Sequence, residues 1–189
     1  MSAARRPRAT LARALDAFAA GLDHASWFAA VGEPLTPSES ADAAGYLAGL
    51  GLAGARVAEV ADWGAAGAAI RDSAWDRRWW DAVERERKLL LHAARKKHGG
   101  DPVMAALSKA TQAASDRVAG RAAEAAAARG VADPGLVKAA AGAGIESAYQ
   151  AALALAAGAP ADHPFRLRFS LFEAGHWPLA LIAGRFDVF

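Results

Sequence analysis

Between Ser73 and His98 the chain reads SAWDRRWWDAVERERKLLLHAARKKH, and its apolar positions gather on one side of a 3.6-residue period. Trp75, Trp79, Ala82, Val83, Leu89, Leu90 and Ala93 share that side. Arg77, Arg78, Asp81, Glu84, Arg85, Lys88, His92, Arg95 and Lys96 share the other. Asp72 or Ser73 can cap the helix, and Gly99-Gly100 stops it. Glu86 breaks the pattern, because it stands among the apolar residues, where an unpaired carboxylate is costly.

The same period organises most of the remaining chain. Thr10 can cap a helix reaching Ala30, with Leu11, Leu15, Phe18, Leu22 and Trp27 on its inner side, which leaves residues 1–9 as a flexible tail. Thr36-Pro37 with Glu39 spells a capping box and a proline in the first turn, for a helix running to Leu50. A helix is predicted over Ala55–Arg71, carrying Val57, Val60 and Ile70. Asp101-Pro102 and Asp133-Pro134 repeat the cap-plus-proline signal for helices ending near Arg129 and Gly158. In the last of these, Glu146 and Gln150 share a stripe with Ala139 and Ala143, and so few charges point to a helix enclosed by others.

After Pro160 the period changes. Phe165, Leu167, Phe169 and Leu171 alternate with Arg166, Arg168 and Ser170, which predicts a half-buried strand. Gly175 marks a turn, Trp177–Ile182 a second strand, Ala183-Gly184 a tight turn and Arg185–Phe189 a third strand. The expected fold is therefore mainly α within an α+β class. It is an antiparallel bundle of five to six helices over residues 10–158, with a small C-terminal three-stranded antiparallel meander over 165–189, all in one domain of residues 10–189.

Composition narrows the function classes. The 189 residues are 54% hydrophobic, enough for a core, but much of that fraction is alanine, so the few large side chains must hold it together. Twenty-two basic residues against 20 acidic ones leave a net charge of +2, too balanced to imply a nucleic-acid partner. The absence of cysteine excludes disulfides and thiolate chemistry. Arg13 and Asp16 interrupt the apolar run that a signal peptide needs. No stretch is apolar and long enough to cross a bilayer, so a soluble, cytoplasmic protein without a membrane partner is expected.

Among chemistry-bearing residues, Glu86 is a candidate general acid or base if its surroundings keep it neutral. Alternatively it is a structural carboxylate with a partner on another element, with Arg121, Gln150, Tyr149 and His176 as candidates. His24, His92, His98, His163 and His176 show no metal-ligand spacing, and His163 reads as part of a linker, so neither a metal nor a cofactor is expected. No glycine-rich phosphate loop follows a predicted strand. The Ala55 segment lacks the side chains that a DNA-recognition helix needs at its start. The cations of Arg95–His98 are accounted for by the helix dipole.

Trp80 points to the flank of its helix with Leu91 and His98. An exposed Trp edged by Leu and Arg more often marks a protein contact than a nucleotide platform. The sequence thus points to a non-enzymatic binding or adaptor protein with a protein partner or a second copy of itself. Its contact would be the Trp80 flank or the sheet edge, with Arg121, Glu146, Gln150 and His176 as further binding candidates. The alternative is an enzyme acting on a small molecule with Glu86 in an interhelical pocket. A weak electrostatic nucleic-acid binder comes third.

Overall fold

The computed structural model describes residues 5–189, with side chains from Thr10 onward; residues 1–4 of the expected tail lie outside the described residues. Seven helices and three strands follow in the order α1 (Arg5–Gly21), α2 (Pro37–Gly49), β1 (Arg56–Glu59), α3 (Trp63–Arg71), α4 (Arg77–His98), α5 (Gly100–Ala127), α6 (Pro134–Ala157), α7 (Pro164–Ala174), β2 (Pro178–Ile182) and β3 (Arg185–Val188). The mainly helical reading with a small sheet stands; the described residues form seven helices where five to six were expected, and four other particulars of the chain outside α4 differ from expectation.

First, α1 starts at Arg5, not at Thr10, and ends at Gly21, not at Ala30. A 3-10 turn at Leu22–His24 follows, and the chain then bends through Trp27 and Phe28, whose φ angles of 24° and 47° are left-handed. Two aromatics hold that strained backbone because both rings are sunk in the core. Trp27 lies 5.8 Å from the Phe169 ring, and Phe28 lies 5.8 Å from Phe172 and 6.3 Å from Trp177. Aromatic burial thus overrides the helical pattern of this segment.

Second, the expected helix over Ala55–Arg71 divides. Arg56–Glu59 is a strand, and Asp62 caps the separate helix α3 by accepting the Ala65 N–H at 2.8 Å. Third, Phe165–Leu171 is helical and not a strand. The segment satisfies both periods, since Phe165, Arg168, Phe169 and Phe172 also recur at helical spacing, and all four are buried in α7. Its ends decide the matter. His163 caps the helix, Pro164 opens it, and Gly175 closes it at φ 105°. A Cβ at Gly175 would stand 2.8 Å from the Ala30 backbone nitrogen, so only glycine fits there.

Fourth, the sheet is mixed and draws on distant parts of the chain. Its order is β1-β3-β2, with β3 parallel to β1 and antiparallel to β2. Arg56 N–H donates to Gly184 at 2.9 Å and Val60 N–H to Val188 at 2.8 Å. The far edge of β2 is covered by the turn into α4, where Trp75 bridges Ile182 and Asp76 N–H donates to the Leu181 carbonyl at 2.9 Å.

Helices α4, α5 and α6 pack on one another, and small residues let them approach closely: a Cβ at Gly144 would meet Val118 at 2.8 Å. Where alanine supplies little area, aromatic side chains fill the space behind the sheet. Trp63, Trp177 and Phe189 form one cluster at 5.3–6.5 Å, and Tyr46, Phe186 and Trp79 another at 5.3–6.5 Å.

Candidate functional site

Helix α4 begins at Arg77, four residues later than its pattern suggests. Asp76 is its cap, accepting the Arg78 N–H at 2.9 Å and the Arg78 guanidinium at 3.1 and 2.7 Å. That guanidinium holds the Asp76 carboxyl below the usual carboxylate range, against a smaller penalty from burial. Trp75 therefore precedes the helix and is exposed, with its ring edge-on to Trp79 at 6.3 Å, so it is not the core residue that the helical pattern implies. Leu89 is likewise turned outward, at 58% exposure. Trp79, Ala82, Val83, Leu90 and Ala94 form the buried face.

Trp80 is 49% exposed. Leu91 is half-buried, and so is His98, whose Nε2 meets the Ala156 carbonyl at 3.1 Å. His98 thereby ties the end of α4 to the end of α6. Between Trp80 and Leu91 lie Glu84 and Arg87, hydrogen-bonded at 3.0 and 2.7 Å. The Arg87 fork holds the Glu84 carboxyl below its ordinary value.

Glu86 is 26% exposed on its side chain, and its partner is none of the four residues expected. His163 Nε2 lies 3.0 Å from Glu86 Oε1, while His163 Nδ1 accepts the Phe165 N–H at 3.2 Å. A ring nitrogen that accepts a backbone N–H carries no proton, so the His163 proton sits on Nε2 and is donated to Glu86. Glu86 orients the imidazole that caps α7, and both ring nitrogens are engaged. Arg121 faces solvent on α5 and pairs with Glu124 at 3.1 Å.

Gln150 lies fully buried at the centre of a polar chain. Its Nε2 donates to Glu146 Oε1 at 3.0 Å, and its Oε1 accepts from Arg168 Nη1 at 3.1 Å. Arg168 is only 4% exposed, and its Nε has no hydrogen-bond partner. The Gln150 amide thus connects a buried guanidinium to the carboxylate of Glu146 at the surface. Tyr46 lies near the same chain and accepts the Trp79 Nε1–H at 2.8 Å. Burial pushes its phenol above the ordinary value, with Arg168 and the Trp79 bond pulling the other way.

His176 is buried beside Gly175, with Nε2 3.5 Å from Glu39 Oε2 and Nδ1 unpartnered. Burial opposes ionisation of Glu39, but the Thr36 N–H and hydroxyl together with His176 bring its carboxyl below the usual range.

The structure therefore gathers the sequence-derived candidates into separate groups. Glu146 and Gln150 join Arg168, Glu86 joins His163, and His176 joins Glu39, while Trp80 and Leu91 stay on the flank of α4. Sequence reasoning missed His163 and Arg168. For His163 a signal was present, because His163-Pro164 repeats the cap-plus-proline device seen at Thr36 and Asp133. Among the described residues, no cluster of three or more histidines, aspartates or glutamates is arranged to hold a metal, and no helix is long and apolar enough to cross a membrane. The chain matches no protein-family model, and no curated protein or solved structure is significantly similar to it.

Proposed function

We propose that the protein is a binding or adaptor protein that makes protein contacts through the outer half of α4, with Trp80 as the anchor. One observation supports this reading above others. The large apolar side chains left exposed among the described residues are Trp80 and Leu89 on α4, Trp75 in the turn before it, and Met104 in the second turn of α5, where its sulfur lies 3.5 Å from Arg95 near the end of α4. Trp80 and Leu89, nine residues apart, lie about 180° from each other around the helix, flanking a ridge of Asp81, Glu84, Arg85 and Lys88. Apolar flanks around a charged ridge suit an interface whose specificity comes from charge and whose affinity comes from an aromatic anchor. Arg77, Arg78, Arg85, Lys88 and Arg95 outnumber Asp81 and Glu84 on this side, which favours a partner with acidic groups around an apolar seat.

The reading in which Glu86 performs acid–base chemistry draws less support, since its carboxylate is already engaged by the capping imidazole. The decisive experiment compares wild type with Trp80→Ala and Trp80→Glu in affinity capture and in sedimentation over a concentration series. Loss of the captured partner, or of self-association, with an unchanged melting temperature supports the proposal. Retention of both contacts in both variants refutes it.

A further inference from the structure

A cleft of about 340 Å³ opens between α1, α2, α6 and α7, on elements other than α4. Its floor is aromatic: the Phe18 and Phe169 rings lie 5.2 Å apart. Its wall is one stripe of α7. Arg166, Ser170 and Glu173 stand at positions i, i+4 and i+7, so their side chains line the same face over about 10 Å of helix. Opposite them α2 contributes Asp42, whose Oδ2 is 2.5 Å from Ser170 Oγ.

Two of the three charges lining this cleft are unspent. Neither the Arg166 guanidinium nor the Glu173 carboxylate makes a hydrogen bond or ion pair among the described residues, although Arg166 is half-buried. The Glu173 side chain reaches solvent, yet enough protein surrounds it that burial raises its carboxyl above the ordinary value, with Arg166 acting in the opposite direction. Two unmatched groups of opposite sign at the two ends of an apolar-floored cleft define a complementary molecule. It carries a carboxylate for Arg166, an ammonium for Glu173 and Asp42, and an apolar body to lie on Phe18 and Phe169.

We infer that the cleft between α7 and α2 binds a small zwitterion, an apolar amino acid or a dipeptide, with its carboxylate at Arg166 and its ammonium at Glu173 and Asp42. The volume lies at the low end for ligand sites and suits a molecule of that size. Ser170 donates to Asp42 and so holds that carboxylate at the middle of the stripe.

Isothermal titration calorimetry on the full chain tests this, with L-leucine and L-leucyl-L-leucine as the two probes, and N-acetyl-L-leucine and L-leucinamide as controls that each lack one charge. At least one probe is expected to bind, and each control to bind at least tenfold more weakly. Arg166→Met and Glu173→Gln, both on partly exposed side chains, are each expected to weaken the binding probe tenfold or more while thermal melts show both variants folded. Preference for the dipeptide over the amino acid would place the two charges toward the ends of the stripe, and the reverse would place them near Ser170; either result supports the site. Absence of heat from both probes, equal binding of a control, or indifference to both substitutions would overturn it.

Discussion

His163 Nε2 stands 3.0 Å from Glu86 Oε1 while His163 Nδ1 caps α7, so one imidazole joins a carboxylate on α4 to the first turn of a helix separated from it by two others. Because the ring is a neutral donor, Glu86→Gln keeps an acceptor in place and is expected to shift stability by less than about 1 kcal/mol. His163→Ala removes the cap and strands Glu86, and is expected to cost roughly 1–3 kcal/mol. His163→Ser restores the cap alone and falls between the two. Chemical denaturation of the three variants separates these outcomes, and equal losses from Glu86→Gln and His163→Ala would show that the imidazole is charged.

The Gln150 amide is the only hydrogen-bond partner of the Arg168 side chain among the described residues. Gln150→Leu leaves the guanidinium buried and unpaired, with an expected loss of about 3–5 kcal/mol. Arg168→Met alone removes the charge and costs less. The double variant Gln150→Leu with Arg168→Met is expected to be more stable than Gln150→Leu, a non-additivity that a double-mutant cycle reads directly. Strict additivity would mean that the two side chains do not act as a pair.

The three tryptophans at the start of α4 differ in kind. Trp79→Ala empties a buried site and breaks the bond to Tyr46, for an expected loss of about 3–5 kcal/mol. Trp75→Ala loses its ring contact with Trp79, worth about 0.5–1.5 kcal/mol. Trp80→Ala is expected to remain within about 0.5 kcal/mol of wild type. Thermal melts of the three variants should fall in that order.

The C-terminal strand is structurally central, with Phe186, Val188 and Phe189 buried and β1 and β2 paired on either side. Deletion of residues 185–189 removes both pairings and three core side chains, each worth about 1.5–3 kcal/mol. The truncated chain is expected to lose cooperative melting. Circular dichroism showing an unchanged transition would contradict the role of this strand in the core.

Acid is expected to weaken the fold in part through Asp76 and Glu39, with Glu84 among the other depressed carboxyls. Both carboxyls lie below their ordinary values in the folded chain, Asp76 chiefly through Arg78, and Glu39 through Thr36 and His176 in spite of burial. A depressed acid contributes stability that is fully present above its unfolded value, about 4, and is lost as pH falls through the lower folded value. Melting temperature should therefore hold from pH 7 to about 5 and decline below about 4. Asp76→Asn, which preserves a capping side chain, combined with Glu39→Gln should flatten that decline. An acid limb unchanged in the double variant would assign the loss to other groups.

How much of this was legible beforehand depended on whether local signals agreed. The capping box at Thr36 and the Asp133 cap both formed where the sequence placed them, whereas at Asp101-Pro102 the same device did not, since α5 opens at Gly100 with Gly99 as a cap that makes no side-chain hydrogen bond. At Phe165–Leu171 the two periods coincided, and the deciding information lay outside the run, in His163-Pro164 and Gly175. At Arg56–Glu59 no local signal could suffice, since the strand exists through its partner at Arg185–Val188. The sites divided similarly. Glu86 stood out as an anomaly of pattern, but its partner came from a segment that reads as a linker. The Arg166 stripe became visible only once α7 was known to be a helix, because alternation had placed Arg166 and Ser170 on a strand face.

The placement of β3 between β1 and β2 also bears on the order in which the molecule assembles. The β2–β3 hairpin needs only the turn at Ala183-Gly184, whereas the β1–β3 pairing closes a loop that contains five of the seven helices. Closing so long a loop is entropically unfavourable until the enclosed segments have compacted, which makes β1 docking a late event. Weakening β1, as with Val57→Ala, would then leave the folding rate nearly unchanged and accelerate unfolding. The parallel strand acts as a latch, and the lifetime of the native state is set where the two most distant elements of the sheet meet.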